Sequence, residues 1–256
     1  MRIVDTHTHL YMPQLAGDLD AVLGRAQAAG VDRMVCVGVD ARSSRQCAEL
    51  ARAHPDRVLA AVGIHPNDLA EAAPDDMDGV SALASLPEVV AIGETGLDFH
   101  YDRTPSGEQV VGLRRHIELA RRAGKPIIIH ARKADERVLE ILSEFGGPIR
   151  GVRHCFDASP PVAEAYLKAG LHISFGGAIT RPGHKKLKAA AAAVPADRLL
   201  VETDCPYQSP ARYAGQRNEP AYVVEVVRAL AALRGTTAEE VAALTTANAE
   251  ALFFGA

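Results

Sequence analysis

Three consecutive stretches decide the fold: VVAIGE at Val89–Glu94, SGEQVVGLRRHIELARRA at Ser106–Ala123 and PIIIH at Pro126–His130. The outer two are short and built from β-branched and aliphatic residues, as strands are. The middle one is long, amphipathic and rich in Leu, Glu and Arg, as a surface helix is. Strand, helix and strand in succession imply parallel pairing through a right-handed crossover. The alternation extends in both directions. Further strands are expected at Arg2–Thr6, Arg33–Gly38, Val58–Gly63, Gly151–His154, His172–Phe175 and Leu199–Thr203. Further helices are expected near Leu15–Ala29, Ser43–Ala53, Met77–Ser85, Ala134–Phe145, Pro161–Ala169, Gly183–Val194 and Glu219–Leu233. A last helix, Thr237–Phe253, has Thr236 or Thr237 ahead of Glu239 and Glu240, a capped acidic start. Eight strand–helix units in 256 residues predict an α/β chain folded as a TIM (β/α)8 barrel with an extra C-terminal helix. A doubly wound sheet is the alternative. No Ser/Gly linker or break in composition divides the chain, so residues 1–256 are expected to form a single domain.

Composition narrows the function classes. With 48% hydrophobic and 23% charged residues the chain is an ordinary globular one. No apolar run approaches the roughly 18 residues that span a bilayer, and MRIVDTH lacks the apolar core of a secretory signal. The four cysteines, Cys36, Cys47, Cys155 and Cys205, show no CxxC spacing and read as reduced thiols. A cytoplasmic protein with no membrane partner and no obligate protein partner is expected. The net charge of −4 argues against a surface that coats duplex DNA. It leaves room for a local basic rim: Arg103, Arg132, Lys133, Arg181, Lys185, Lys186, Arg212 and Arg217 all fall in or beside the connections after strands.

Barrel enzymes place their chemistry at the carboxyl ends of the strands. Ionisable residues recur there: His7 and His9 after the first strand, His65 after the third, Glu94 at the fourth, His130 at the fifth, His154 at the sixth and Asp204 at the eighth. Residues two apart on an extended chain share a face, so His7 and His9 can share a metal. Any one of these histidines alone would read as structural, but the joint pattern reads as a metal site. The mix of imidazole and carboxylate suits Zn²⁺, Mn²⁺, Fe²⁺ or Ni²⁺ better than Ca²⁺. Six ligands (His7, His9, Glu94, His130, His154 and Asp204) exceed one tetrahedral centre. Two metals about 3.5–4 Å apart would use them all, with Glu94 as the bridging carboxylate.

The motifs DTHTHL (Asp5–Leu10), GIHP (Gly63–Pro66), IGETGLDFHYD (Ile92–Asp102), IIIHAR (Ile127–Arg132), HCF (His154–Phe156), ETDCPY (Glu202–Tyr207), GQRNEP (Gly215–Pro220) and TTANAEALF (Thr245–Phe253) run end to end. Together they resemble the TatD family of metal-dependent deoxyribonucleases, within the amidohydrolase superfamily. The resemblance implies that His7 and His9 bind a first metal with Glu94 and Asp204. It implies that Glu94, His130 and His154 bind a second, with two divalent ions (Zn, Mn or Mg) per subunit. Asp204 would orient or deprotonate the attacking water, and His65 would face the substrate phosphate. The sequence departs from the family's common wording at HARKADE, HCFDAS and SFGGAIT, but at none of these ligands.

The reaction expected from the resemblance and the rim is phosphodiester hydrolysis by a hydroxide activated between two metals. Asp204, Glu94 and His65 are its catalytic residues, and His65 and Arg132 hold the phosphate. A narrow barrel mouth suits a single-stranded DNA end better than a duplex interior, hence an exonuclease, and the resemblance implies the 3′-5′ type. The alternatives are hydrolysis of a small amide, ester or phosphate at the same centre, or a barrel that only binds. Of the remaining residues, Glu202 shares the strand face of Asp204 and reads equally as orienting a ligand or as a buried structural carboxylate. Asp98 and His100 read equally as reaching substrate or a transient metal, or as surface loop. His116 on a charged helix is expected to be solvated, and His54 and His172 to be structural. Cys155 and Cys205 should point away from the metals by alternation.

Overall fold

The computed structural model describes residues 1–101 and 103–255. Along it run β1 (Ile3–Thr8), α1 (Pro13–Ala16), α2 (Leu19–Ala28), β2 (Val31–Val37), α3 (Ala41–Ala53), β3 (Val58–Val62), α4 (Asp76–Leu83), β4 (Val89–Asp98) and α5 (Ser106–Ala123). There follow β5 (Ile127–Arg132), α6 (Asp135–Glu144), β6 (Gly151–Arg153), α7 (Pro160–Lys168), β7 (Leu171–Phe175), α8 (Lys185–Ala193), β8 (Leu199–Val201), α9 (Val223–Arg234) and α10 (Ala238–Phe253). The eight strands form one sheet in chain order. β3–β4, β4–β5, β5–β6 and β7–β8 pair in parallel. The end of β8 returns to β1: Thr8 bridges Cys205, and the amide of His9 donates to Cys205 O at 2.8 Å. The fold is therefore the expected (β/α)8 barrel, with α10 as its additional C-terminal helix. No helix of the described residues is long and apolar enough to cross a membrane.

Contacts gather the chain into two compact units. One comprises Met1–Val35, His154–Leu167 and His172–Ala256; the other comprises Cys36–Arg153 and Lys168–Leu171. In the first, Ile3, Ile173, Phe175 and Leu200 on strands and Val227, Leu230 and Leu252 on α9 and α10 are buried, and α10 packs against β1 and β8. α10 starts on a capping box, in which Thr237 Oγ1 accepts from Glu240 N and Glu240 accepts from Thr237 N. It docks on β1 and β8 by polar bonds, Thr246 Oγ1 to Arg2 O and Asn248 Nδ2 to Leu199 O, both 2.9 Å. In the second, Val62, Ile92 and Ile127–Ile129 on strands and Leu113, Ile117, Val138 and Ile141 on helices are buried, with α5 and α6 packed against β4 and β5.

Several boundaries differ from the sequence expectation, each for a local reason. The first helix is two: α1 and α2 part at Gly17 and Asp18, and the Asp18 carboxylate is taken by Arg217 at 2.6 and 3.0 Å. The helix expected from Glu219 starts at Val223, because Pro220 disfavours a helical residue before it and Glu219 is clamped by Arg25 at 2.7–3.0 Å. β4 continues past Glu94 to Asp98, while β8 stops at Val201 and β6 at Arg153.

His116 overturns the expectation of a solvated residue. It is fully buried, its Nδ1–H donates to Gly112 O (2.8 Å), and its Nε2 accepts the Ile64 amide (3.0 Å). Burial drives its pKa from 6.5 down to about 4, against the Gly112 bond, which favours the charged form. A proton on Nε2 would also face an N–H. Below pH 6.5 the unfolded chain takes up a proton that the folded chain refuses until about pH 4. Stability should therefore fall across that window as pH drops, by about 3 kcal/mol in total. Denaturant titrations at stepped pH test this. The variant His116→Gln should lose that part of the slope; parallel losses in wild type and variant would assign it elsewhere.

Candidate metal centre

In the first unit, β1 presents its residues alternately. Thr6 Oγ1 donates to Val201 O (2.9 Å) and Thr8 Oγ1 to Val35 O (3.0 Å), each satisfied by a neighbouring strand. Asp5, His7 and His9 take the other face. His7 Nε2 and His9 Nε2 lie 3.3 Å apart. Asp204 Oδ1 stands 3.4 Å from His9 Nε2 and 3.9 Å from His7 Nε2. Asp204 reaches this position from beyond β8, in a left-handed conformation (φ 58°), so the turn and not strand alternation aims it. Asn218 of the GQRNEP motif pins the turn, with Nδ2 donating to Thr203 O (2.9 Å) and Tyr207 O (2.5 Å).

His154 stacks on His7, ring centroids 4.0 Å apart, with Nδ1 3.5 Å from Glu202 Oε1. Glu202 Oε1 also accepts the Cys155 amide at 2.5 Å. Glu202 is thus a buried carboxylate bonded to the backbone at Cys155 and near the His154 ring. Cys155 too has a positive φ (44°), so alternation does not describe it.

The second unit carries Glu94, His65, Asp98 and His130. His130 Nδ1 is 3.0 Å from Glu94 Oε1, and His65 Nε2 is 3.5 Å from the same oxygen. His65 Nδ1 accepts the Asn67 amide (3.1 Å), which places its proton on Nε2 when the ring is neutral. Asp98 is buried at the end of β4, not in a surface loop. Its Oδ2 lies 3.2 Å from His130 Nε2 and accepts Asn67 Nδ2 at 3.1 Å; its Oδ1 accepts the amides of His100 (2.8 Å) and Tyr101 (3.1 Å). His130 is thereby held between two carboxylates, with Nε2 toward Asp98 and Nδ1 toward Glu94. Such outer carboxylates fix the tautomer of ligating histidines. The backbones here approach closely: a Cβ on Gly63 would stand 2.7 Å from the Gly93 carbonyl carbon, and one on Gly96 (φ 148°) would strike the His130 carbonyl.

The carboxylates at both places are held ionised. Burial alone would raise the Asp204 carboxyl, but the hydrogen bond from His9 and the charges of His7, His9 and His154 outweigh it and hold it below the carboxylate range. Asp98 is likewise held low, by His130 and the two loop amides against its burial. Asp5 differs: burial pushes it up to about 8, although Thr203 Oγ1 and amide donate to it at 2.6 and 2.9 Å. The donor set fits a divalent ion. At most one of two imidazole nitrogens 3.3 Å apart carries a proton, so a lone pair and the Asp204 oxygen converge on one point. His7, His9 and Asp204 offer donor atoms all within 4.8 Å of one another, as do His7, His154 and Glu202, and His65, Asp98 and His130.

The expected rim is partly neutralised. Arg217 is paired with Asp18, Arg212 with Glu225 at 3.3 Å, and Arg181 donates to Ser209 O. Arg132 ends β5 in register with Asp98, and among the described residues its guanidinium has no carboxylate partner. Of the residues around the clusters, the sequence reading gave no role to Asp5, Asn67 or Asn218. Asp5 was accessible to it by the same two-residue spacing that linked His7 and His9.

Known proteins resemble this chain over nearly its whole length. The family model described as TatD related DNase matches residues 4–254. The chain is 42% identical over 252 residues to the uncharacterized metal-dependent hydrolase YabD of Bacillus subtilis, covering 98% of each protein. It is 37% identical over 256 residues to the 3′-5′ ssDNA/RNA exonuclease TatD of Erwinia tasmaniensis, covering 97% of this chain and 98% of that one. Among solved structures, the TatD homolog YJJV of Escherichia coli superposes with a TM-score of 0.93 at 31% identity, covering 100% of this chain and 99% of that one. Strand ends furnished with imidazoles and carboxylates, on a barrel matched over nearly its whole length, make this chain a member of the TatD-related DNase family of metal-dependent hydrolases.

Proposed function

We propose that the chain is a single-domain, cytoplasmic 3′-5′ exonuclease that hydrolyses phosphodiester bonds at single-stranded DNA ends with two divalent cations. The observation that carries the proposal is the convergence of His7, His9 and Asp204 within 3.9 Å. Support for the substrate comes from the relatives named as ssDNA/RNA exonucleases at 37% identity. His7, His9 and Asp204 would hold one ion and His130 and His154 the other, with Glu94 shared. Bound cations would supply a nucleophile from water at neutral pH and offset charge on the phosphoryl oxygens.

The residues supply the rest. Asp204 stays a carboxylate at working pH; with Oδ1 toward the histidines, Oδ2 is the atom that orients the water and takes its proton. His65 presents Nε2–H, since Nδ1 is already an acceptor, and so donates to a phosphate oxygen. Arg132, without a carboxylate partner among the described residues, holds that phosphate by paired N–H bonds.

The test is metal analysis of the purified protein joined to a substrate panel after chelation and re-addition of Mg²⁺, Mn²⁺ or Zn²⁺. The panel contains end-labelled single- and double-stranded oligonucleotides, a small phosphodiester, an ester and a cyclic amide. A ladder shortened from the 3′ end, abolished by EDTA and restored by metal, is expected. Turnover of the ester or amide with intact oligonucleotides would replace this reading with small-molecule hydrolysis. No turnover of any kind would leave a binding barrel.

A further inference from the structure

Beyond the metal ligands, the exits of β4 and β5 carry a feature that phosphate chemistry leaves unused. Phe99 and Tyr101 follow Asp98 and are 40% and 44% exposed, large apolar side chains left in water beside a buried polar cluster. The guanidinium carbon of Arg132 lies 4.8 Å from the Tyr101 ring centroid, and that of Arg103 lies 5.5 Å from the same centroid. The His100 ring meets Tyr101 edge-on at 4.7 Å. The segment is anchored to the ligand shell: Asp98 Oδ1 accepts the Tyr101 amide while Oδ2 faces His130, and the Phe99 amide donates to Arg132 O at 2.9 Å. Tyr101 therefore stands at a fixed distance along the chain from His130, with cations at its ring.

An exposed aromatic ring flanked by guanidinium groups is how proteins hold single-stranded nucleic acid, because every base offers a face to stack and every linkage a phosphate to pair. In a duplex the base faces are already covered. We propose that Tyr101, flanked by Arg132 and Arg103, is a nucleobase-stacking subsite that makes the enzyme prefer unpaired strands. This inference rests on the nuclease reading above and assigns the residue that enforces its single-strand preference.

The probe is a fluorescent, hydrolysis-resistant phosphorothioate oligothymidylate, with a matched strand bearing abasic sugars, titrated against metal-loaded enzyme. Wild type should bind the base-bearing strand about tenfold more tightly than the abasic one. Tyr101→Ala should erase that preference and Tyr101→Phe should keep it. On cleavable oligonucleotides Tyr101→Ala should raise KM with kcat nearly unchanged. An unaltered preference in Tyr101→Ala, or equal losses in Ala and Phe, would overturn the stacking role, and so would a wild type that binds no strand. The two readings fail differently. Wild type that binds through Tyr101 but cuts nothing refutes the nuclease; Tyr101→Ala that cuts with wild-type KM refutes only the subsite.

Discussion

Asp204→Asn should lower kcat by about two to four orders of magnitude while the melting temperature stays within a few degrees of wild type. The substitution is isosteric, and the left-handed turn that aims residue 204 is one asparagine adopts readily. What is lost is the carboxylate. In the native protein His7, His9 and His154 hold Asp204 ionised against its burial, so it can accept a proton across the neutral range. An asparagine amide cannot: with its carbonyl oxygen toward the two imidazole nitrogens at 3.4 and 3.9 Å, an NH₂ that accepts no proton stands where Oδ2 stood. The pH profile carries the same information. With its carboxyl held low, the wild-type rate should decline from this group only below the usual carboxylate range. The variant should show a low rate with no acid limb of that origin. A variant with a tenth or more of wild-type kcat would remove Asp204 from the proton transfer.

How far the sequence carried the structure depends on which physical effect sets each feature. Local periodicity sets the strand–helix alternation, and α5 falls on Ser106–Ala123 as expected. Two-residue spacing on a strand sets the juxtaposition of His7 and His9. Tertiary contacts set what was misread. β4 reaches Asp98 because β5 pairs with it through Asp98↔Arg132, a register that no local pattern encodes. Of the two readings open for Asp98, this removes the surface loop and puts the residue in the cluster around His130. His116 lies among charged neighbours in sequence, yet its own face of α5 is the one that meets Ile64. Asp204 stands beside His7 and His9, but not by strand geometry: alternation along β8 ends at Val201, and a turn pinned by Asn218 does the aiming. The rim of arginines was legible as charge but not as availability, since Asp18 and Glu225 lie distant in sequence from Arg217 and Arg212 or on another element.

Glu94→Gln should be the most damaging conservative change in the second unit, lowering activity on the order of a thousandfold or more. Losing an outer partner of a ligand costs only about 10- to 100-fold, which is the scale for Asp98→Asn. The reasoning starts from Glu94 Oε1, which faces His130 Nδ1 at 3.0 Å and His65 Nε2 at 3.5 Å in a nearly buried site. Glutamine keeps the volume and removes the charge that offsets a cation there. Its amide can satisfy one of these nitrogens at most, so the fold should tolerate the change and the metal should not. Stoichiometry separates the possible roles of Glu94. If it is shared between two ions, Glu94→Gln loses both and metal content falls toward zero. If it serves the second ion alone, one ion per chain remains, as in His130→Ala. Elemental analysis after gel filtration reads this directly, without reference to any substrate. Two ions per chain in Glu94→Gln, with activity above a tenth of wild type, would remove Glu94 from the centre. Full loss of metal in Glu94→Gln beside retention of one ion in His130→Ala is the pattern that a shared carboxylate requires, because only that residue lies on both coordination paths.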